Sequence, residues 1–214
     1  MTTRAQRSPG LLTAVTAIIL VALIVSGIAP YDRATWMLEV TPAAIAVPIL
    51  WATRHRFPLT GLLYVLITLH ALVLIYGGAY TYARVPLGFA LQDWFDLARN
   101  PYDRIGHFFQ GFVPALITRE ILIRGAFIRG RRMRTFLVIC VVLAISASYE
   151  LLEWGVAVYA ADGAVDFLGT QGDPWDTQSD MFLALIGAIT ALVTLSRWHD
   201  RQIERLRNGP TGGN

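Results

Sequence analysis

The sequence predicts an all-α fold, a polytopic transmembrane helical bundle of about six spans with both termini in the cytoplasm. Three observations lead there. Apolar residues make up 55% of the 214-residue chain and charged residues only 15%, against roughly 25% charged in an ordinary soluble domain. The charges are segregated, leaving several stretches near the roughly 20 apolar residues that a helix needs to cross a hydrocarbon core about 30 Å thick. The 18 basic residues are all arginine, and they gather in short segments between those stretches.

The first span covers about Leu11 to Ile28. Its apolar run exceeds the roughly 7–15 residues of a signal-peptide core and no small-x-small cleavage site follows, so it reads as a retained anchor. The second, Trp36 to Trp51, is shorter and contains Glu39, Pro42 and Pro48. The third, Leu59 to Tyr76, contains His70. A polar, aromatic stretch from Gly77 to Tyr102 follows, in which Gln92 to Arg99 suits an interfacial helix, since Trp94, Phe95 and Leu97 alternate with acids. The fourth, fifth and sixth spans are Ile105 to Ile123, Thr135 to Tyr159 and Asp180 to Leu195. The chain then divides into a cytoplasmic N-terminal tail (1–10), a six-span membrane domain (11–195) and a basic C-terminal tail (196–214) that ends glycine-rich and frayed. No internal repeat or soluble domain is present.

Arginine placement sets the orientation. With the N-terminus inside, inner segments hold Arg4, Arg7, Arg54, Arg56, Arg124, Arg129, Arg131, Arg132, Arg134, Arg197, Arg201, Arg205 and Arg207, and outer segments hold Arg33, Arg84, Arg99 and Arg104. Thirteen against four satisfies the positive-inside rule. The same distribution excludes nucleic acid as a partner despite a pI near 9.3, because these arginines border lipid. The loop from Arg124 to Arg134 suits anionic lipid heads. Cys140, the single cysteine, excludes an intramolecular disulfide and any cysteine metal motif. Walker, GxGxxG, GxSxG and HExxH motifs are absent, which leaves nucleotide-binding, serine-hydrolase and zincin readings without support.

The acids are distributed oppositely. Asp32, Asp93, Asp96, Asp103, Asp162, Asp166, Asp173 and Asp176 fall in outer segments, and Asp180 opens the sixth span. Glu150 and Glu153 are different, because they lie inside the fifth span. Glu150 is nine residues before Tyr159, about 13 Å along a helix at about 1.5 Å per residue. A carboxylate at such depth costs about 2.5–3.5 kcal/mol even on the lenient insertion scale, so it calls for a partner or a wet cavity. Glu150 and Glu153 share one helical face, which Ser146 extends.

The fourth span offers a matching face, with Asp103 and His107 four apart and Gln110, Gly111, Pro114 and Thr118 continuing it. Asp176 and Asp180 open the sixth span, again four apart. Three spans thus bring a histidine and several carboxylates to one depth. His107, Asp103, Glu150, Glu153 and Asp180 are candidate metal ligands, and one imidazole with carboxylate oxygens suits Zn²⁺, Mn²⁺ or Mg²⁺. His107, Glu150 and Glu153 are the candidate catalytic groups; Asp103, Gln110, Asp176 and Asp180 are candidate substrate-binding groups. Blander roles fit some of them: Asp103, Asp176 or Asp180 as helix-start acids, His107 bonded to a carboxylate without metal, and Arg99 or Arg104 neutralising the glutamates. His70 suits a hydrogen-bonded packing histidine or a member of the pocket, and Glu39 suits the pocket or the interface. Arg119 and Glu120 suit pairing with the inner loop.

The segments Gly77-Gly78-Ala79-Tyr80-Thr81-Tyr82, Arg99-Asn100-Pro101-Tyr102-Asp103-Arg104 and Gly106-His107-Phe108-Phe109-Gln110-Gly111-Phe112-Val113-Pro114 resemble the YjdF-like family of bacterial inner-membrane proteins. So do Arg119-Glu120, Tyr149-Glu150 with Glu153-Trp154, and the run from Gly172 to Met181. The resemblance spans about Leu59 to Gly187 and implies a bacterial inner-membrane location, without a particular activity. A weaker similarity links Asp103-Arg104 with His107, then Glu150 and Glu153, then Asp176 with Asp180, to VanZ-like membrane proteins. The chain departs from that pattern at Asp180, where an asparagine is expected, and in lacking a glycine soon after it. An antibiotic-resistance role therefore does not carry over.

Three functions compete on these residues. The first is a metal-assisted or acid–base hydrolase or transferase acting from the outer side on a lipid-linked substrate, with one glutamate as general base. The second is a proton- or cation-coupled transporter, which with six short spans requires a homodimer. The third is a non-catalytic scaffold or protein that binds membrane lipids.

Overall fold

The computed structural model describes residues 9–160 and 171–208. Arg4 and Arg7 of the N-terminal tail, Asp162 and Asp166, and the glycine-rich end of the chain lie outside the described residues. Seven helices order the rest: α1 (Pro9–Ile28), α2 (Arg33–Thr53), α3 (Gly61–Ala79), α4 (Pro86–Phe95), α5 (Tyr102–Arg124), α6 (Arg131–Ala160) and α7 (Asp176–Asn208). Among the described residues there is no strand.

Five of these helices, α1, α2, α3, α6 and α7, are long and apolar enough to cross a membrane. The fourth predicted span, α5, has 23 residues and so the length, about 34 Å at 1.5 Å per residue, but not the apolarity. Its position explains the difference. α5 packs against α3, α6 and α7, and of its own residues only Ile121 is exposed. A helix shielded from lipid by its neighbours can carry polar groups that a lipid-facing helix cannot. Around it, Ile18, Val21, Ile24, Ile45, Leu151 and Val193 are examples of the large apolar side chains left exposed, as expected of a bundle solvated by lipid.

The tightest crossing joins α5 to α7. A Cβ built on Gly111 would collide with the Ala184 carbonyl oxygen, and one on Gly187 with the Phe108 carbonyl oxygen. Ala115, Ala184, Ala188 and Ala191 are fully buried beside them. These form small-xxx-small pairs (Gly111 with Ala115, Ala184 with Ala188, Gly187 with Ala191), the pattern that lets helix backbones meet inside a membrane. In the other half of the bundle, α1 to α3, indole hydrogen bonds join α2 to α1. Trp36 Nε1 donates to Ser26 Oγ at 3.0 Å and Trp51 Nε1 to Thr16 Oγ1 at 2.8 Å, both from α2 to α1.

Several boundaries differ from the sequence expectation. α2 continues through Pro42 and Pro48 to Thr53, starting where Asp32 caps it by accepting from the Thr35 amide at 2.7 Å. The predicted interfacial helix lies earlier than Gln92–Arg99. It begins at Val85-Pro86, with proline in the first turn, and ends at Asp96, which adopts a left-handed conformation at φ 49°. The largest change is at the C-terminus. Residues 196–208 are not a separate tail but the last turns of α7. Hydropathy ends near Leu195, yet the buried stripe does not, for Ala188, Ala191, His199 and Ile203 are all buried at helical spacing.

What fixes this end is a second polar cluster. Glu120, wholly buried, receives hydrogen bonds from the Thr60 amide (3.2 Å) and hydroxyl (2.8 Å), and pairs with Arg124 at 2.7 Å and His199 Nε2 at 2.8 Å. Arg119 pairs with Asp200 at 2.6 Å, and the Leu62 amide donates to Gln202 at 2.9 Å. Arg119 and Glu120 therefore turn chiefly to α7 and to the residues before α3. Of the arginine-rich loop, only Arg124 at its start joins them.

Candidate functional site

At the opposite end of the bundle, the N-terminal part of α5 meets the C-terminal part of α6 and the start of α7. Asn100 sets where α5 begins. Its side-chain Nδ2 donates to the Val85 carbonyl and its side-chain oxygen accepts from the Tyr102 amide, both at 3.0 Å. A Cβ at Gly88 would occupy the space of that side chain, so the start of α4 and the start of α5 are held as one unit. The Tyr82 ring fills the gap between Gly77 of α3 and Gly106 of α5, with no room for a Cβ at either. His107, one residue on, is thereby fixed against α6 and α7.

His107 is 5% exposed and has a different neighbourhood at each ring nitrogen. Nε2 lies 3.5 Å from Asp103 Oδ1 on the preceding turn and 3.8 Å from Asp180 Oδ2 on α7. Nδ1 lies 3.1 Å from Gln110 Oε1 and 3.8 Å from Glu150 Oε1. If the Gln110 amide oxygen accepts from Nδ1–H, a neutral ring would present its Nε2 lone pair to a cation placed between the two aspartates.

Asp103, His107 and Asp180 can bring one ligand atom each to within 4.8 Å of one another. Donors about 2.1 Å from a shared ion stand about 3–3.4 Å apart in octahedral or tetrahedral geometry, so small side-chain adjustments close the set. Gln110 occupies the place of the outer partner that orients a metal-binding imidazole. Glu150 and Glu153, also expected among the ligands, lie outside this three-residue set. Glu150 is on the Nδ1 side, and Glu153 lines a cavity that Asp103 and His107 also border.

That cavity, of about 200 Å³, is bordered by α2, α3, α5 and α6, with Glu39, His70, Asp103, His107, Tyr149 and Glu153 among its lining residues. Pro42 and Pro114 also line it, each removing a helix hydrogen bond there. Glu39 belongs to this site, for it is buried and accepts from the Tyr149 hydroxyl at 2.9 Å. His70 stacks on Phe109, with centroids 6.4 Å apart, and lines the cavity, while its Nε2 is buried without a hydrogen-bond partner among the described residues. Tyr149 and Tyr82 are site residues that the sequence pattern does not mark as such. Tyr149 is one residue before Glu150 and so falls on the edge of the acidic face, which is the one cue to it.

The electrostatic balance is lopsided. Glu39, Glu150, Glu153, Asp176 and Asp180 are all buried, and Asp103 joins them at the rim. Arg99 pairs with Asp176 and with Asp173 at 3.4 Å, and Arg104 with Asp173 at 3.6 Å. Both arginines thus serve the aspartates at the start of α7, and Arg104 does not neutralise the glutamates. Glu150 Oε1, Asp180 Oδ1, Ser146 Oγ and His70 Nε2 are buried without a hydrogen-bond partner among the described residues. Carboxylates crowded this way require bound protons or a bound cation.

A family model described as "Predicted membrane protein (DUF2238)" matches residues 11–201. The chain belongs to this family. It is 61% identical over 183 residues to the inner membrane protein YjdF of Escherichia coli (strain K12), covering 86% of this chain and 88% of that protein. No solved structure matches. The family match reaches into every helix of the bundle, and with five helices long and apolar enough to cross a membrane the chain is a multi-pass protein of the bacterial inner membrane.

Proposed function

We propose that this inner-membrane protein is a metal-assisted hydrolase or transferase acting on a lipid-linked substrate at the carboxylate-rich end of the bundle. The observation that carries this reading is the convergence of Asp103, His107 and Asp180 from two helices, with ligand atoms within 4.8 Å of one another, amid further buried acids. A divalent cation held there, Zn²⁺, Mn²⁺ or Mg²⁺, supplies a Lewis acid toward a phosphoryl or carbonyl oxygen. Gln110 holds the imidazole from its Nδ1 side. One glutamate, Glu150 at 3.8 Å from that nitrogen or Glu153 one turn on, would be the general base that accepts the proton of the attacking nucleophile. Asp176, fixed by Arg99, marks the substrate's entry side.

Orientation is part of the same proposal. The starts of α1 and α3 and the end of α7 come together, since Gly61 lies beside Leu11 and Gln202, and that end carries most of the arginines. It faces the cytoplasm by the positive-inside rule, and the acid cluster faces out. A reporter active only in the cytoplasm, fused after Asn208, tests this: silence there contradicts it.

Catalysis is tested by reconstituting the full chain with bacterial lipid extract and following lipid species by mass spectrometry. Conversion that stops on chelation and in Glu150→Gln is expected. Conversion indifferent to both, or none in folded protein, contradicts the enzyme reading. A second reading, cation- or proton-coupled transport by a homodimer, draws on the two buried ionisable clusters at His107 and Glu120, about 20 Å apart along α5 at 1.5 Å per residue. Flux into liposomes without lipid conversion selects it.

A further inference from the structure

A second cavity lies at the arginine-rich end, away from the acid cluster. It is larger, about 530 Å³, and opens between the first turns of α6 and the part of α7 near Ser196. Four arginines line it: Arg119, Arg131, Arg134 and Arg197. The one carboxylate in its wall, Asp200, is already taken by Arg119 at 2.6 Å. Arg131, Arg134 and Arg197 have no acidic partner among the described residues. The cavity therefore carries an excess of three positive charges, counted as four guanidinium groups less one carboxylate.

Two further features say what such a cavity takes. The first turn of α6 begins at Arg131, so unpaired backbone N–H groups and the positive end of the helix dipole border the same space. The rest of the wall combines the hydroxyl residues Thr135, Thr194 and Ser196 with an apolar strip of Val138, Leu192 and Val193, and Val193 is 78% exposed on α7. Guanidinium groups above and an aliphatic strip opening to lipid match an amphiphile with an anionic head.

We propose that this cavity binds the phosphate head of an anionic phospholipid. Arg131, Arg134 and Arg197 hold the phosphate oxygens, the first turn of α6 adds its amides, and an acyl chain lies along Val138, Leu192 and Val193. Inorganic phosphate shares the chemistry of the head but has nothing to place on the apolar strip. The site is independent of the acid-end reading and stands whether or not that reading holds.

The test uses the full chain purified in a zwitterionic detergent and titrated with phosphatidylglycerol, phosphatidylcholine or inorganic phosphate, reading lipid binding and the thermal unfolding midpoint. Phosphatidylglycerol binds saturably and raises the midpoint; the other two do not. The double variant Arg134→Gln/Arg197→Gln binds phosphatidylglycerol about 30-fold more weakly, which at 1.4 kcal/mol per tenfold is about 2 kcal/mol, or about 1 kcal/mol per arginine. Arg33→Gln/Arg84→Gln, with the same charge loss at the other end, binds as the parent does. Lysine at positions 134 and 197 retains most of the binding. Should the double glutamine variant fail to fold, Arg197→Gln, at an exposed position, is read in its place and shows roughly half the energetic loss, about fivefold. Undiminished binding in the Arg134/Arg197 variant, or equal loss in the Arg33/Arg84 variant, overturns the site. Equal binding of phosphatidylcholine overturns recognition by charge, and a phosphate response of the same size overturns the lipid in favour of a free anion.

Discussion

Asp180 Oδ2 on α7 reaches across a helix crossing to within 3.8 Å of His107 Nε2 on α5. The two side chains meet because Gly111 and Gly187 bring the backbones of their helices into contact one to two turns further along. The meeting of these side chains at the carboxylate-rich end thus rests on small residues, whose only contribution is that they take up no space.

Gln110 bears on how His107 is held. Replacing it with alanine removes the acceptor at Nδ1 and is expected to weaken divalent-cation binding about 10–100-fold, the usual effect of losing an outer partner of a metal-bound histidine. Calorimetric titration with Mn²⁺ or Zn²⁺ reads it. An unchanged affinity means that the imidazole is oriented by something else.

Gly111→Leu or Gly187→Leu places a side chain where a neighbouring backbone oxygen already stands. Backbone cannot move aside as a flexible side chain can, so each should destabilise by at least about 1–3 kcal/mol and weaken cation binding as Asp180 moves away. Gly155→Ala, where a Cβ meets nothing within 4 Å, is the control, and alanine should slightly favour that helix. Thermal unfolding in detergent separates the two kinds of site. A parent-like midpoint in both leucine variants contradicts the close crossing.

The arginine-rich end predicts a larger loss. Glu120→Ala leaves Arg124 and His199 without their shared carboxylate in a buried place, and breaking a buried pair costs about 3–5 kcal/mol. Glu204→Ala, on the exposed face of the same end, should change stability by no more than about 0.5 kcal/mol. Comparable unfolding midpoints for the two variants would falsify the view that Glu120 ties α5 to α7.

Asp32 gives a pH-dependent effect with a defined sign. The Thr35 backbone N–H bonds its carboxylate and holds it below the usual aspartate range, so the folded form takes up a proton less readily than the unfolded one. This contribution is present above the unfolded value and is lost as pH falls through the folded one. Asp32→Ala should therefore be less stable than the parent by about 1 kcal/mol near neutrality, and the gap should close in acid. Urea unfolding at the two pH values measures it. A gap that widens in acid contradicts the capping role.

How much of this could be read from the chain depended on whether a residue's surroundings were local. The apolar spans follow from their own composition, and Asp103, His107 and Gln110 from spacing along one helix. Glu150 stood out because a carboxylate in an apolar run is too costly to keep unless a partner or a wet cavity receives it. What stayed hidden depended on distant partners. Glu39 could be placed either at the interface or in the pocket until Tyr149, 110 residues away, supplied its hydrogen bond. The last turns of α7 looked like a tail because hydropathy falls at Arg197. Only the stripe through His199 and Ile203 marks a continuing helix, and His199 itself is inconspicuous beside so many arginines. The small-residue crossing also stayed hidden, because Gly111 stands out only on the polar stripe of its own helix and Ala184 and Gly187 lie on another.

The central claim is a cation held by Asp103, His107 and Asp180. Equilibrium dialysis of the purified full chain against Mn²⁺ or Zn²⁺, followed by elemental analysis, measures it most directly. One ion per chain is expected in the parent, with none in His107→Ala or Asp180→Ala whose helical circular dichroism matches the parent. A parent that takes up no ion, or folded variants that take up as much as it does, would contradict the claim.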